Sequence, residues 1–227
     1  SLSIGGNDYG GNALKLLTGQ VDPVVLGNQV TANISTAVDN VLSAHPDGMI
    51  VWSVPDMSLT AEGQTYVTTP QLQALAAQIM ADVNPQLEAA MLSRHVVYID
   101  LASAMHDLEA SPLVVGGVTI DTKNASTDPT HLWQNNIHPG TVGNGLFANL
   151  AIAALNVGYG QHIPYFTDQE ILAQAGLSGS YTGQTTNIDY ASYIVTAPVP
   201  EPGSLALLVI GALFTVVGYR SRRRRIE

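Results

Sequence analysis

Two short phrases, more than a hundred residues apart, hold side chains suited to chemistry: Gly5-Gly6-Asn7-Asp8 and Asn135-Asn136-Ile137-His138-Pro139-Gly140. The first sets a side-chain amide, a hydrogen-bond donor, on a turn freed by glycine just after a strand end. The second sets a lone imidazole, a group that takes and returns protons near neutrality, on a loop leading into a helix. A donor and a base form half of an active site. Taken singly, each phrase is also ordinary: Asn7 and Asp8 can simply build a turn, and His138-Pro139 can simply flank a helix.

Order and separation make the pair informative. The phrases resemble the third and fifth sequence blocks of the SGNH hydrolases, the GDSL-type esterases and lipases, which read G-x-N-D and D-x-x-H-P. The likeness continues through Val51-Trp52-Ser53-Val54-Pro55-Asp56-Met57, similar to that family's loop at a strand end. It reaches Gly140-Thr141-Val142-Gly143-Asn144-Gly145, and so covers roughly residues 1–155. The resemblance implies that Asn7 donates to the oxyanion of a tetrahedral intermediate and that His138 is the general base activating a serine. It implies a three-layer α/β/α sandwich around a parallel sheet, flavodoxin-like, with the family's first strands missing.

Two departures stand out. The Gly-Asp-Ser block that carries the family's nucleophile, and a second Gly block, should both precede Gly5, where this chain has four residues. Ser1 and Ser3 lack that turn and the helix after it, so no nucleophile is expected within this chain. Three residues before His138 the family has Asp, where this chain has Asn135. An amide can hold an imidazole by a hydrogen bond but lends it no charge. Asp128, ten residues upstream, is a second candidate for that place.

At the other end, Val199-Pro200-Glu201-Pro202-Gly203-Ser204 precedes an apolar run over 205–219 and then a cluster of arginines from Arg220 to Arg225. Fifteen helical residues rise about 23 Å, a minimal membrane span. The arginines orient it with the basic end cytoplasmic and the rest outside. Pro-Glu-Pro, a short span and a basic end resemble the bacterial PEP-CTERM sorting signal. That resemblance implies an exported, envelope-bound or secreted protein, with an exosortase-type enzyme as partner and the tail open to removal. An exported protein needs a leader, and Ser1 starts none. Together with the absent nucleophile block, this leads to the expectation of an N-terminally truncated piece, whose strand ending at Ile4 keeps an unpaired edge.

Before Arg220 there are three basic residues (Lys15, Arg94 and Lys123) against seventeen acidic ones, a net charge of −14. This argues against nucleic acid and anionic membrane surfaces as partners. The absence of cysteine excludes disulfides and thiolate-held metals. His131, His138 and Asp128 follow no metal-ligand spacing, so neither metal nor cofactor is expected. His45, His95, His106 and His162 read as surface or loop residues. Trp52 and Trp133 suit either a pocket wall or the core.

The elements that must position Asn7 and His138 alternate. Leu2-Ser3-Ile4 reads as the end of a strand. Val30, Ile34, Val38, Val41 and Leu42 recur at helical spacing over 28–44, and 49–54 is a continuous apolar run suited to a strand covered on both faces. Pro70 behind Thr68-Thr69 starts a helix to Arg94, with a kink expected at Pro85. Residues 96–101 read as a strand and 103–109 as a short helix. The stretch 111–137 reads as one long irregular loop delivering His138, and Thr141 as the cap of a closing helix. Thr167 with Glu170 fits a capping box for a helix ending at Gly176. The domain is expected to span 1–158, followed by an extension and linker over 159–198 and the sorting signal over 199–227. Two functions remain open: an exported carboxylic ester hydrolase acting on a lipid or an acylated carbohydrate, or an envelope protein that uses the same fold only for binding.

Overall fold

The computed structural model describes residues 1–12, 15–16, 18–110, 112–186 and 188–197. The expected span 205–219 and the sorting signal around it lie outside the described residues. Residues 1–197 form one compact unit of mixed α/β structure. Its main sheet is built from β1 (Ile50–Trp52), β2 (Val97–Ile99) and β6 (Ile194–Val195), in the order β1-β2-β6. The first two run parallel, with Ile50 opposite Val97 and Trp52 opposite Ile99. Leu2 extends the sheet on the outer side of β1 through a single parallel bridge to Val51.

Side chains alternate across these strands, and the alternation divides the core. Ile50, Val97 and Ile99 point into one buried cluster, while Val51 and Tyr98 point into another. The second cluster is closed by α2 (Pro23–Leu42) and α4 (Pro70–Leu92) through Val30, Ile34, Val83 and Leu87. The first is closed by α6 (Thr141–Tyr159) through Leu146, Leu150 and Ala154. Strands covered on both faces have no polar side, which is why 49–54 reads as an unbroken apolar run.

The helix starts follow ordinary capping chemistry. Asp22 accepts from the amides of Val24 and Val25 ahead of Pro23, and Thr69 from the amide of Leu72 ahead of Pro70. Pro85 sits inside α4, which continues through it to Leu92. Between β1 and α4 lie a 3-10 turn, Met57–Leu59, and α3 (Ala61–Tyr66). After β2 comes α5 (Leu101–Ala110), starting two residues earlier than the spacing predicts.

Four sequence expectations need correction. The stretch 111–137 is not one irregular loop. It holds β3 (Leu113–Val115), β4 (Val118–Ala125) and β5 (His131–Trp133), a second sheet in the order β3-β4-β5. The turn joining β3 to β4 is Gly116-Gly117, with φ of +56° and +89°, a pair of left-handed positions that glycine fills at little cost. Thr141 is the first helical residue of α6, not its cap, and Gly140 occupies the cap without a side-chain bond.

The sheet is not purely parallel, since β6 pairs antiparallel with β2. Nor does the body end at 158. Residues 159–197 pack back onto it, because buried Asn149 clamps the amide and carbonyl of Phe166 at 2.8 and 2.9 Å and Asn156 clamps those of Ile163 at 2.8 Å each. The capping box of Thr167 and Glu170 then starts α7 (Asp168–Gln174), whose Ile171 and Leu172 enter the core.

Candidate functional site

Asn7 lies in α1 (Gly6–Gly10), a single turn of helix rather than an open turn. Gly5 before it has a φ of +102°. A Cβ there would stand 3.1 to 3.2 Å from Val54, Ile34 and Val30. Only glycine allows both that backbone conformation and that closeness, so α1 is held tightly against the end of β1. The Asn7 side chain is exposed and makes no hydrogen bond among the described residues, which leaves its amide free for a ligand. Gly6 faces Pro55 and Met57 at 3.7 and 3.9 Å from where its Cβ would be.

His138 is held by a short closed loop. Gln134 N–H donates to the carbonyl of His138 at 2.9 Å, Gly140 N–H to that of Leu132 at 2.7 Å, and Trp133 bridges Pro139. Glu62 N–H at the start of α3 donates to the Asn136 carbonyl at 2.9 Å, which ties the loop to the body. Within the loop, Asn135 Oδ1 takes three contacts: Ile137 N–H at 3.2 Å, His138 N–H at 3.0 Å and His138 Nδ1 at 2.9 Å.

The two backbone donors settle the chemistry of the third contact. An atom that accepts from two N–H groups must be the amide oxygen, because an NH2 there would face donors with donors. The imidazole Nδ1 facing that oxygen therefore carries a proton, and the lone pair lies on Nε2. This is the tautomer a general base needs, obtained without a carboxylate.

Asp128 does not take that place. Its Oδ1 accepts from the Thr130 hydroxyl at 2.7 Å and the Thr130 amide at 2.8 Å, bonds that hold its carboxyl below the ordinary value. His131 adds to that lowering.

A cavity of about 490 Å³ lies beside the second phrase, and neither Asn7 nor His138 is among the residues that line it. Pro55 and Met57, the residues Gly6 faces, line it on one side, and Ile137 and Pro139, the neighbours of His138, line it on another. Trp52 and Trp133 also line it. Trp133 is 3% exposed, and its indole N–H donates to the Thr122 carbonyl at 2.7 Å; Trp52 packs tilted against Phe147 with centroids 6.4 Å apart. The cavity sits beyond the carboxyl end of β1, where ligands gather on sheets of this kind.

Two buried features beside the lining residues Pro55 and Met57 went unread in the sequence. Asn84 of α4 clamps the backbone of Val54, its amide donating to the carbonyl and its oxygen accepting from the N–H, each at 3.0 Å. Asp56, 1% exposed, caps the turn Met57–Leu59 through Ser58, and its second oxygen stands 3.0 Å from His106 Nε2. A polar Asn on the otherwise apolar face of α4 is the signal that could have found the first. No cluster of His, Asp and Glu suited to a metal ion occurs among the described residues.

Residues 198–225 match the PEP-CTERM protein-sorting motif. The chain carries that sorting signal. Such motifs are recognised by exosortase-type processing and mark exported, envelope-associated proteins. No curated protein matches the chain. Among the described residues α6 is long and apolar enough to cross a membrane. Its Val142, Leu146, Leu150, Ala153 and Ala154 are buried in the domain, and it is a core helix.

Proposed function

We propose that residues 1–197 belong to an SGNH-type carboxylic ester hydrolase, flavodoxin-like in layering, exported and held at the envelope by the C-terminal segment, with the serine nucleophile not supplied by these residues. The observation that carries this is the fixed oxygen of Asn135, which accepts from Nδ1–H of His138 and so favours the tautomer with its lone pair on Nε2. In the proposed reaction a serine oxygen attacks the acyl carbon while Nε2 takes its proton. The Asn7 amide donates to the oxyanion, and the alcohol leaves with the proton from His138. Water then attacks the acyl-serine by the same route, releasing the acid and restoring the serine. Among the described residues no serine hydroxyl bonds to His138, so the nucleophile has to be identified by experiment. Removing an oxyanion donor such as Asn7 lowers turnover by about a hundred- to a thousandfold.

A second reading keeps the fold for binding alone. It is favoured by the neutral side chain at position 135, which cannot offset the imidazolium charge that develops during attack.

The test is to treat the protein as its gene encodes it with a fluorophosphonate, which traps an activated serine, and to locate the label by mass spectrometry. Hydrolysis of p-nitrophenyl butyrate is followed in parallel. Labelling and hydrolysis that both vanish in His138→Ala support the hydrolase. Absence of both in the native protein leaves the binding role, and equal rates in the variant remove His138 from the mechanism.

A further inference from the structure

We infer that the cavity beside His138 selects an unbranched aliphatic acyl chain of medium length, making the substrate a fatty-acyl ester rather than an acetylated carbohydrate. The inference deepens the hydrolase proposal and rests on it for the word substrate, while the binding it asserts stands by itself.

The lining leaves a polar ligand little to bond. It is dominated by rings and thioethers, Trp52, Trp133, Phe147, Met57 and Met105, and contains no charged side chain. Two of its polar members are already engaged. Thr60 donates its hydroxyl to the Met57 carbonyl and caps α3 through Gly63 N–H, and the Asn144 amide donates to the Pro139 carbonyl. Apart from the Ser3 hydroxyl and the Asn144 oxygen, a sugar's many hydroxyls placed there would lose water without gaining partners, a loss that outweighs their contacts. An alkyl chain loses nothing on leaving water, and methionine adapts its shape to such a chain.

Size sets the length. At about 30 Å³ per water-sized group, 490 Å³ holds roughly sixteen such groups, so a chain of about eight carbons fits with room for the ester and part of the alcohol. The carboxyl end belongs beside Ile137 and Pro139, since these wall residues flank the base. Ala148 and Ala151 of α6, one helical turn apart, form the wall that small side chains keep open.

The chain contains two tryptophans, and both line this cavity. Intrinsic fluorescence therefore reports its occupancy directly, with no need for turnover. The experiment titrates the full protein with sodium acetate, hexanoate, octanoate and decanoate below their micelle concentrations, and measures p-nitrophenyl esters of two to twelve carbons alongside. Octanoate is expected to give a saturable change that acetate does not. Where esters are cleaved, kcat/KM should rise about fourfold per methylene up to about eight carbons and then fall. In Ala151→Phe, and separately Ala148→Phe, both optima should move to shorter chains.

Octanoate binding without hydrolysis of any ester would remove the hydrolase proposal and leave the chain-binding site standing. Hydrolysis with no preference beyond acetyl, or faster release of acetate from acetylated xylan than cleavage of the octanoyl ester, would overturn this inference while leaving the hydrolase in place. No saturable fluorescence change with any of the four acids would also overturn it.

Discussion

Asn84→Ala is the substitution whose cost the structure defines best. The Asn84 side chain lies on α4 and joins it to the segment just after β1, next to the cavity-lining Pro55, through two hydrogen bonds of 3.0 Å to the N–H and carbonyl of Val54. Val54 is fully buried, so water cannot take over either group when the amide is removed. Each bond is worth about 1 kcal/mol net, and each buried group left unpaired adds about 1 kcal/mol or more. The sum is about 3 to 5 kcal/mol, a large part of the 5–15 kcal/mol that holds a typical domain. For a body of this size that lowers Tm by roughly 6 to 20 °C. Urea unfolding followed by far-UV circular dichroism measures the loss, and tryptophan emission shows whether Trp52, two residues before Val54, has moved. Asn144→Ala is the control, because its 3.2 Å bond lies at an exposed position and its loss should stay within about 0.5 kcal/mol. An Asn84→Ala loss below about 1 kcal/mol with an unchanged urea slope would refute the reasoning, since the strand end would then be held without the clamp.

Burial pushes the Tyr9 phenol up to about 12, with the Asp8 and Asp82 charges adding to it, and its hydroxyl is buried without a hydrogen-bond partner. A pKa raised above its unfolded value leaves stability intact below about pH 10 and removes it as pH climbs toward 12. Tyr9→Phe should flatten that alkaline loss of the urea midpoint without lowering the midpoint at pH 7; an unchanged alkaline slope would show that Tyr9 is not responsible. Asn135→Ala removes the acceptor that fixes the His138 tautomer at an exposed site, so stability should change by less than about 1 kcal/mol while ester hydrolysis drops at least about tenfold. Asn135→Asp, which adds a charge, should raise the rate above native, and full activity in Asn135→Ala would disprove the orienting role. At Gly158 an added Cβ would run into the Val97 side chain, so Gly158→Ala should cost about 1 to 3 kcal/mol by thermal melt. An unaltered melt would mean that α6 does not pack on β2 as closely as described.

Elements whose signals are local were legible in the sequence. The apolar spacing of Val30, Ile34 and Val38, the caps at Thr69 and Thr167 and the apolar run ending at Val54 all give elements close to their expected places. These signals arise from a few neighbouring residues whose backbone groups and side chains meet at fixed spacing whatever surrounds them. The hairpin of β3 and β4 was equally local in its Gly116-Gly117 turn, yet the Thr, Asp and Asn around it obscured the alternation of Leu113, Val115 and Ile120.

What the sequence by itself determined is the pair of chemical groups, a free amide at Asn7 and an imidazole at His138, and the sorting signal that follows the domain. What only the tertiary structure decided is which atoms meet. It set Asn135, not Asp128, against the imidazole, gathered Pro55, Met57, Ile137 and Pro139 around one cavity, and folded 159–197 back through Asn149 and Asn156. The physical reason is that an amide side chain has no preferred sequence distance. Asn84, Asn149 and Asn156 each bind a backbone group 7 to 30 residues away, and burial of the surrounding apolar surface alone brings those partners within 3 Å.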